Sequence, residues 1–278
     1  MLPMTTTALA GPPAATRSGR RTRDPHDRSR SRLSFLRRWV SPVALVLLWQ
    51  LASSTGLLDE RKLASPAQVA ATAAELVRDG VLGAATLVSL QRVAIGFTIG
   101  ALIGLTLAVL AGLSRIGEDT IDPPMQMLRT LPHFGLVSLF IIWFGIGETP
   151  KVALIAMGAT FPLYLNTFGG IRGIERKTLD AAKSMHLTWT QRIRHVIIPG
   201  ALPQTLVGLR QSLGIAWLSV IVAETIASDA GIGSMINDAR EFQQTDVVVV
   251  GLVVYSLLGL STDAIVRYLE RKALAWRA

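Results

Sequence analysis

The 278-residue chain contains no cysteine, and this absence excludes several kinds of chemistry. Disulfides, thiolate metal sites and a cysteine nucleophile are all ruled out. The four histidines, at positions 26, 133, 186 and 195, share no ligand spacing, so no metal site is predicted either. A G-x-x-x-x-G-K-[ST] phosphate-binding loop is also absent from the sequence. We therefore expect a protein that has no metal centre and holds no nucleotide of its own.

Charged residues are scarce, at 17% of the chain, while half of the chain is hydrophobic. The charges are also unevenly placed, since the apolar run 93–113 contains none. A soluble domain of this length would spread its charges over its surface, whereas a helix that spans a bilayer needs roughly 20 apolar residues. The composition therefore predicts an all-α membrane protein that crosses the bilayer several times.

Six segments are predicted to be transmembrane helices, and the first is the least apolar of them. They are 40–58, 93–113, 125–146, 152–171, 206–227 and 247–266. An external helix is predicted between the first two spans, with a start at Ser65-Pro66 and a stop at Gly80. The predicted domains are a basic tail at 1–39, the first span and external helix at 40–84, a core at 85–272 and a C-terminal tail at 273–278.

The distribution of basic residues predicts the orientation of the chain. With both termini inside, twenty Lys and Arg fall in inside segments and five in outside segments, as expected of cytoplasmic loops. Nine of the twenty are arginines of the tail 1–39, which is predicted to be disordered. A nucleic-acid-binding arm has the same composition, but a basic run beside a hydrophobic span is typical of contact with anionic lipid. We predict cytoplasmic termini and no nucleic-acid partner.

Polar and helix-breaking residues within the spans are candidates for a solute pathway. Pro132 and His133 interrupt the third span, and Asn166 follows Pro162 in the fourth. Backbone groups freed by such breaks must face protein or a watery cavity, although ordinary kinks and a hydrogen bond from Asn166 to a neighbouring helix are alternatives. Glu224 either lines the pathway or marks the membrane boundary. The candidate pathway residues are Pro132, Asn166, Trp217 and Glu224.

Glycines at 96, 100 and 104 recur at every fourth residue of the second span. They lie on one helix face and would let another backbone approach closely. The alternative is the general enrichment of glycine in membrane helices. Both interpretations concern packing rather than chemistry.

The inside loop 173–203 is longer than a simple connector, and its helical spacing of apolar residues is not typical of a flexible linker. Its first predicted helix, 175–185, places Ala181, Ala182 and Met185 on one apolar face. Two short amphipathic helices in a basic cytoplasmic loop would either dock a soluble partner or lie on lipid.

The second helix of this loop is predicted over 189–198. Thr188 and Gln191 have the spacing of a capping box at its start. Pro199 is predicted to end it, because the residue before a proline is driven out of the helical region.

The loop resembles a known motif through the sequence Asp180-Ala181-Ala182, then His186, then Val-Ile-Ile-Pro at 196–199. This spacing is similar to the EAA loop of ABC-importer permeases, whose pattern is Glu-Ala-Ala, three residues, Gly, nine residues, Ile, one residue and Leu-Pro. Three of the seven marked positions are identical: Ala181, Ala182 and Pro199. His186 replaces the turn glycine, and a left-handed backbone there would cost roughly 1 to 2 kcal/mol; the sequence leaves open whether His186 adopts one.

The resemblance extends over residues 85–272. The segments "SLQRVAIGFTIGALIG", "WFGIGE", "PGALPQTLVGLRQSLGIAW" and "NDAREFQQTD" resemble the permeases of the nitrate, sulfonate and taurine import branch. The resemblance implies an inner-membrane permease, not itself an enzyme, that imports a small anionic solute such as an aliphatic sulfonate, taurine or nitrate. The coupling residues that it implies are Asp180, Ala181, Ala182, His186 and Pro199.

Three partners follow from the resemblance. Each loop would insert into a cleft of a cytoplasmic ATP-binding subunit, which would hold the ATP and Mg. An extracytoplasmic binding protein would deliver the solute, and a second permease copy, as a homodimer, would complete the core.

Other functions remain open at this stage. The same machinery could import an uncharged precursor such as a thiamine pyrimidine. An ion-gradient-driven secondary transporter would need a buried acid for coupling, and the middles of the predicted spans lack one. An integral membrane enzyme would need paired carboxylates or a nucleophile with its base at membrane depth, and none is visible.

Overall fold

The computed structural model describes residues 27–59 and 62–275, with side chains from Val40 onward except that of Ala227. Within these residues the chain is helical and contains no strand, which confirms the all-α prediction. Most of the predicted disordered tail and the last residues of the C-terminal tail lie outside the described residues. The contacts divide the chain into two units, Met1–Trp49 and Gln50–Ala278.

The first helix, α1 (Asp27–Ser54), begins inside the segment that was predicted to be disordered. From Asp27 onward the backbone continues the helix of the apolar segment, since adding a residue to a formed helix costs far less than starting one, and the disorder of the tail stays a prediction. The apolar part of α1, Val40–Ser54, is shorter than the roughly 20 residues of a full span. It ends before the predicted residue 58 because Thr55 and Gly56 (φ 72°) turn the chain.

Ten further α-helices follow along the described chain. They are α2 (Pro66–Arg78), α3 (Val81–Leu113), α4 (Arg115–Leu128), α5 (Leu136–Phe144), α6 (Glu148–Arg172), α7 (Arg176–Ser184), α8 (Trp189–Arg192), α9 (Ile198–Ala227), α10 (Ile232–Glu241) and α11 (Thr245–Ala273).

Four helical stretches of the described chain are long and apolar enough to cross a membrane. They are α3, α6, α11 and the continuous stretch Trp189–Ile226. The pair Arg115–Leu128 and His133–Phe144, bent by 76°, gives a fifth span if it is counted as one. The count of six spans, which needs Val40–Ser54 as well, stays a prediction.

The helix predicted between the first two spans is present as α2, while its external location stays a prediction. The Ser65 hydroxyl accepts a hydrogen bond from the backbone N–H of Gln68 at 3.2 Å, and Pro66 lies in the first turn. Serine at the cap and proline in the first turn are the usual start of a helix, because both suit backbone amides that have no partner within the helix. Gly80, with a φ of 76°, separates α2 from α3 as predicted.

The glycine stripe of α3 lies against α6. A β-carbon added at Gly100 would come within 2.2 Å of the carbonyl oxygen of Ala156, and one at Gly104 within 2.7 Å of that of Thr160. The Thr160 hydroxyl donates to the carbonyl of Gly100 at 3.2 Å. The close-packing interpretation of the glycines is therefore confirmed, because at these positions the two backbones touch.

The third predicted span, 125–146, is not one helix. Its first residues belong to the end of α4, and Pro132 then precedes a short 3₁₀ turn, His133–Gly135, that leads into α5. Proline has no N–H to donate and restricts the residue before it, so the chain changes direction here. The predicted interruption is confirmed, and the bend makes it larger than a kink.

The prediction that Pro199 ends a helix is wrong. α8 continues through a π-helical turn, Ile193–Ile197, into α9, where Pro199 occupies the first turn. A proline is tolerated there because the wider π turn already departs from the regular hydrogen-bond ladder. The second loop helix and the fifth predicted span are consequently one continuous helical stretch.

The contact between α3 and α6 can be tested with leucine at two glycines of the same helix. Gly100→Leu should destabilise the protein by about 1 to 3 kcal/mol or more, because the added atoms overlap the α6 backbone. Gly83→Leu is the matched control, since a β-carbon there meets nothing within 4 Å. The thermal unfolding midpoints of the two purified variants should differ clearly, and equal midpoints would contradict the close contact.

Candidate functional site

Two oppositely charged side chains are buried together between α3 and α9. Arg92 is 4% exposed and Glu224 is 1% exposed. The Nη1 of Arg92 donates to Oε1 of Glu224 at 2.7 Å and to the carbonyl oxygen of Ala230 at 2.6 Å. Because a charge inside a membrane protein is costly unless it is paired, this ion pair is a feature that the surrounding structure must support.

The carboxylate of Glu224 obtains its other hydrogen bonds from three directions. The hydroxyl of Ser89 lies 2.9 Å from both carboxylate oxygens. Tyr255 donates its hydroxyl to Oε2 at 2.8 Å, and the backbone N–H of Gly233 donates to the same oxygen at 2.8 Å. Four helices, α3, α9, α10 and α11, therefore meet at one carboxylate.

The first turn of α10 is shaped around this carboxylate. A β-carbon on Gly231 would lie 2.5 Å from the carboxylate carbon of Glu224, and one on Gly233 would lie 2.5 Å from its Cβ. Gly231 also has a φ of 110°, which favours glycine. The helix N-terminus points its free amides at the anion, which is the favourable direction of its dipole. The sequence prediction missed α10, although the Gly-Ile-Gly at 231–233 was a usable signal.

A second carboxylate binds the other edge of Arg92. Glu148 accepts from Nε at 2.7 Å through Oε2 and from Nη2 at 2.6 Å through Oε1. The ammonium of Lys151 donates to the same Oε1 at 3.0 Å. Lys151 is only 5% exposed, although the sequence placed it in an outside segment, whereas the side chain of Glu148 is 61% exposed.

These charged groups form part of the wall of a cavity. The cavity has a volume of about 420 Å³, and its lining includes Arg92, Glu148 and Lys151. It lies at the start of α6, a 25-residue helix that ends at Arg172 beside the loop 173–203. At 1.5 Å per residue, the helix separates the two sites by about 37 Å. The cavity and the loop are thus at opposite ends of the helix bundle.

The loop 173–203 has the two predicted helices, but its faces differ from those predicted. Of the three residues expected to share an apolar face, only Ala182 is buried, at 1% exposure. Ala181 is exposed, and Met185 is 67% exposed. The prediction of one common face is wrong because α7 is short and lies against the rest of the chain, so Ala182 alone points inward.

The turn between α7 and α8 decides the backbone conformation of His186, which the sequence left open. His186 has a φ of 55°, in the left-handed region. Thr188 accepts from the backbone N–H of Gln191 at 3.4 Å, and the Gln191 side chain accepts from the backbone N–H of Thr188 at 2.9 Å. The capping box is therefore confirmed.

Residues 100–274 match the family described as the binding-protein-dependent transport system inner membrane component. The chain belongs to this family. It is 44% identical over 248 residues to the putative aliphatic sulfonates transport permease protein SsuC of Bacillus subtilis (strain 168), covering 89% of this chain and 90% of that protein. It is 48% identical over 238 residues to the protein of the same name in Escherichia coli (strain K12), covering 86% and 90%.

The fold of this permease also matches solved structures. A crystal structure of an amino acid ABC transporter with histidines aligns with a TM-score of 0.60 at 18% identity, covering 72% of this chain and 97% of that one. Together with the apolar helices, the family places the permease in the membrane as a multi-pass inner-membrane component.

The four predicted pathway residues of the permease do not converge on one site. Pro132 is exposed at the bend before α5. Asn166 donates to Gln211 on α9 at 2.9 Å, which is the alternative that the sequence left open. Only Trp217 and Glu224 share a neighbour, since both contact Tyr255. Whether any of the four lines a pathway stays a prediction.

The carboxylate of Glu224 is buried among four helices, and whether it also lies at the membrane boundary stays a prediction. Sequence position put Glu224 near the end of a span, and only the packing of α10 over that end encloses it.

The buried ion pair can be tested by removing one charge. Glu224→Gln should destabilise the permease by about 3 to 5 kcal/mol, since it leaves Arg92 without one of its two carboxylates. Glu270→Gln is the control, because Glu270 pairs with Arg210 at 2.9 Å while both side chains are partly exposed, so a loss of about 0 to 1 kcal/mol is expected there. Unfolding midpoints in detergent measure both, and equal losses would contradict the burial.

Proposed function

We propose that the chain is the permease subunit of an ATP-driven importer for a small anionic solute, namely an aliphatic sulfonate, taurine or nitrate. The observation that carries this proposal is the 44% and 48% identity, over most of the chain, to two relatives named for aliphatic sulfonates. More distant relatives support the same solute class. They are a taurine transport system permease protein of Escherichia coli at 34% identity and a nitrate import permease protein of Synechocystis at 28%.

In this proposal the loop 173–203 transmits movement from a cytoplasmic ATP-binding subunit. The stretch Trp189–Ile226 is 38 residues long and continuous, so a helix of about 57 Å joins the loop to the buried ion pair. Pro199 lies within this stretch rather than at its end. A displacement of the loop would therefore be transmitted to the part of this helix that carries Glu224, because no flexible segment lies between them.

The exposed residues of the loop give the ATP-binding subunit a surface to bind. Ala181, Met185 and Trp189 are exposed, and Asp180 pairs with Lys183 at 3.0 Å beside them. Ala182 has another role, because its burial anchors α7 to the permease itself. His186 sets the turn that orients α8.

The remaining partners follow from the same proposal. An extracytoplasmic binding protein would deliver the solute at the end of the bundle that carries the 420 Å³ cavity. A second copy of the chain would complete the core as a homodimer. Both termini would be cytoplasmic, which agrees with the excess of basic residues in the predicted inside segments, and ATP hydrolysis would occur only in the partner subunit.

An ion-gradient-driven secondary transporter is the alternative function for which a buried acid such as Glu224 would be needed. A carboxylate that carries protons or cations must be free to lose its partners and titrate. Glu224 is held instead by Arg92, Ser89, Tyr255 and the amide of Gly233. The geometry therefore favours a structural ion pair over an ion-coupling site.

Uptake measurements test the proposed function. Cells that express the chain with its ATP-binding subunit and binding protein should accumulate labelled ethanesulfonate, taurine or nitrate only when all components are present. The purified chain alone in vesicles should neither hydrolyse ATP nor accumulate solute on a proton gradient. Uptake by the chain alone on that gradient would reject the importer and favour the secondary transporter.

Arginine at the two loop alanines separates docking from folding. Ala181→Arg should preserve the fold but reduce copurification of the ATP-binding subunit, because the exposed position becomes bulky and charged. Ala182→Arg should unfold the loop first, since an unpaired buried charge costs several kcal/mol. Ala70→Arg, at an exposed alanine of α2, is the matched control. Normal copurification and ATP hydrolysis with Ala181→Arg would exclude this face from docking.

Glycine at His186 tests the turn. His186→Gly should keep coupling intact and raise stability by up to about 1 to 2 kcal/mol, because glycine adopts a positive φ without the clash of a β-carbon. Gln243, which follows α10, also has a left-handed φ, of 56°. Gln243→Gly is therefore a control that measures the gain in stability from removing left-handed backbone strain alone. Lost coupling in His186→Gly, with assembly intact, would show that the imidazole itself makes a contact with the partner.

A further inference from the structure

The guanidinium of Arg92 has two binding edges that serve different carboxylates. One nitrogen, Nη1, binds Glu224 and the carbonyl of Ala230. The edge formed by Nε and Nη2 binds Glu148 alone among the described contacts, through two parallel hydrogen bonds. This paired geometry is the one by which arginine recognises carboxylates, phosphates and similar oxyanions. If Glu148 left, Arg92 would keep its structural partner and present an oxyanion-binding edge to the cavity.

Glu148 is far more exposed than Glu224, although Arg92 and Lys151 bind it through three hydrogen bonds. Its side chain is 61% exposed, whereas that of Glu224 is fully buried. The backbone before it is also unpacked, because β-carbons added at Gly145 or Gly147 would meet nothing within 4 Å and Ile146 is 85% exposed. Gly145 has a φ of 77°. The carboxylate can therefore swing out with its glycine-flanked segment without disturbing the packed helices.

The two cations that bind Glu148 cannot leave in the same way. Arg92 and Lys151 are 4% and 5% exposed and lie on the packed helices α3 and α6. A buried cation without an anion is strongly unfavourable. When Glu148 moves away, Arg92 keeps Glu224 but its second edge is left without an acceptor, and Lys151 loses the carboxylate that it binds, so another anion would be favourable in this place.

The donors at this position outnumber the oxygens of a carboxylate. Arg92 offers two hydrogen bonds and Lys151 a third, and Oε1 of Glu148 must accept from both Nη2 and Nζ. A sulfonate or nitrate carries three oxygens, which could accept one hydrogen bond from each donor. Glu148 already accepts from all three donors, because a carboxylate oxygen can accept two hydrogen bonds, and a three-oxygen anion would satisfy the same donors with one oxygen each.

We propose that Glu148 is a displaceable internal substitute for the solute, and that Arg92 and Lys151 form a binding site for a three-oxygen anion in the cavity at the start of α6. This inference rests on the proposed function, in which the solute is anionic. Solute binding would release the segment before α6 from Arg92, while the Arg92–Glu224 pair keeps α3 and α9 together. In the absence of solute, the carboxylate of Glu148 would occupy the site.

Equilibrium dialysis of the purified permease in lipid nanodiscs tests the site directly. The probes are labelled ethanesulfonate and propionate, which differ only in the three-oxygen and two-oxygen head group. Glu148→Ala removes the internal competitor, so it should bind ethanesulfonate at least about tenfold more tightly than the unmodified permease. Propionate should gain less. Glu118→Ala is the matched control, because Glu118 pairs with Arg172 at the other end of α6 and is similarly half-exposed.

The double variant Glu148→Ala/Lys151→Met shows whether the gain arises at this site. It should lose the increased affinity for ethanesulfonate, because the third donor is gone. An unchanged affinity in Glu148→Ala, an equal gain for propionate, or a gain that survives Lys151→Met would each overturn the inference. If Glu148→Ala does not fold, Glu148→Asp decides: its shorter carboxylate should compete less well, so tighter ethanesulfonate binding supports the site and equal binding rejects it.

The uptake experiment distinguishes a failure of this inference from a failure of the proposed function. If the complete transporter imports no anionic solute, the proposed function fails. If it imports ethanesulfonate while Glu148→Ala binds the probe no more tightly than the unmodified permease, only the displaceable carboxylate is rejected.

Discussion

A guanidinium and a carboxylate buried among apolar helices must obtain from the protein the hydrogen bonds that water would otherwise supply. Glu224 obtains them from Arg92, Ser89, Tyr255 and the first turn of α10. This requirement explains why a short polar helix folds back over the end of α9, and why two glycines stand where its backbone meets the carboxylate. One ion pair thereby fixes the relative positions of four helices.

The packing of the bundle differs on the two sides of Arg92. α3 and α6 touch through their backbones at Gly100 and Ala156, which leaves no room for one helix to slide past the other. The segment before Glu148 has no such contacts, although its carboxylate reaches the same arginine. A charge network that is buried on one side and exposed on the other suits a structure that must open without unfolding.

At the opposite end of the bundle, the loop 173–203 combines an anchor with a free surface. Ala182 is buried in the permease and Ala181 is exposed beside it. The helix that starts in the loop continues through Pro199 to the buried pair. Since a helix resists bending over such a length far better than a loop does, the proposed coupling would depend on the continuity of this element.

The sequence by itself determined the helical class, most of the apolar segments, the glycine stripe and the capping box at Thr188, because each depends on spacing along a single helix or turn. Only the tertiary structure decided what depends on contacts between distant segments. It buried Glu224 and Lys151, turned Ala182 inward, bent the third predicted span at Pro132 and enclosed the ion pair with α10. A residue's position in a span predicts its depth along the helix, but whether it meets lipid, water or an opposite charge is set by helices far away in the sequence.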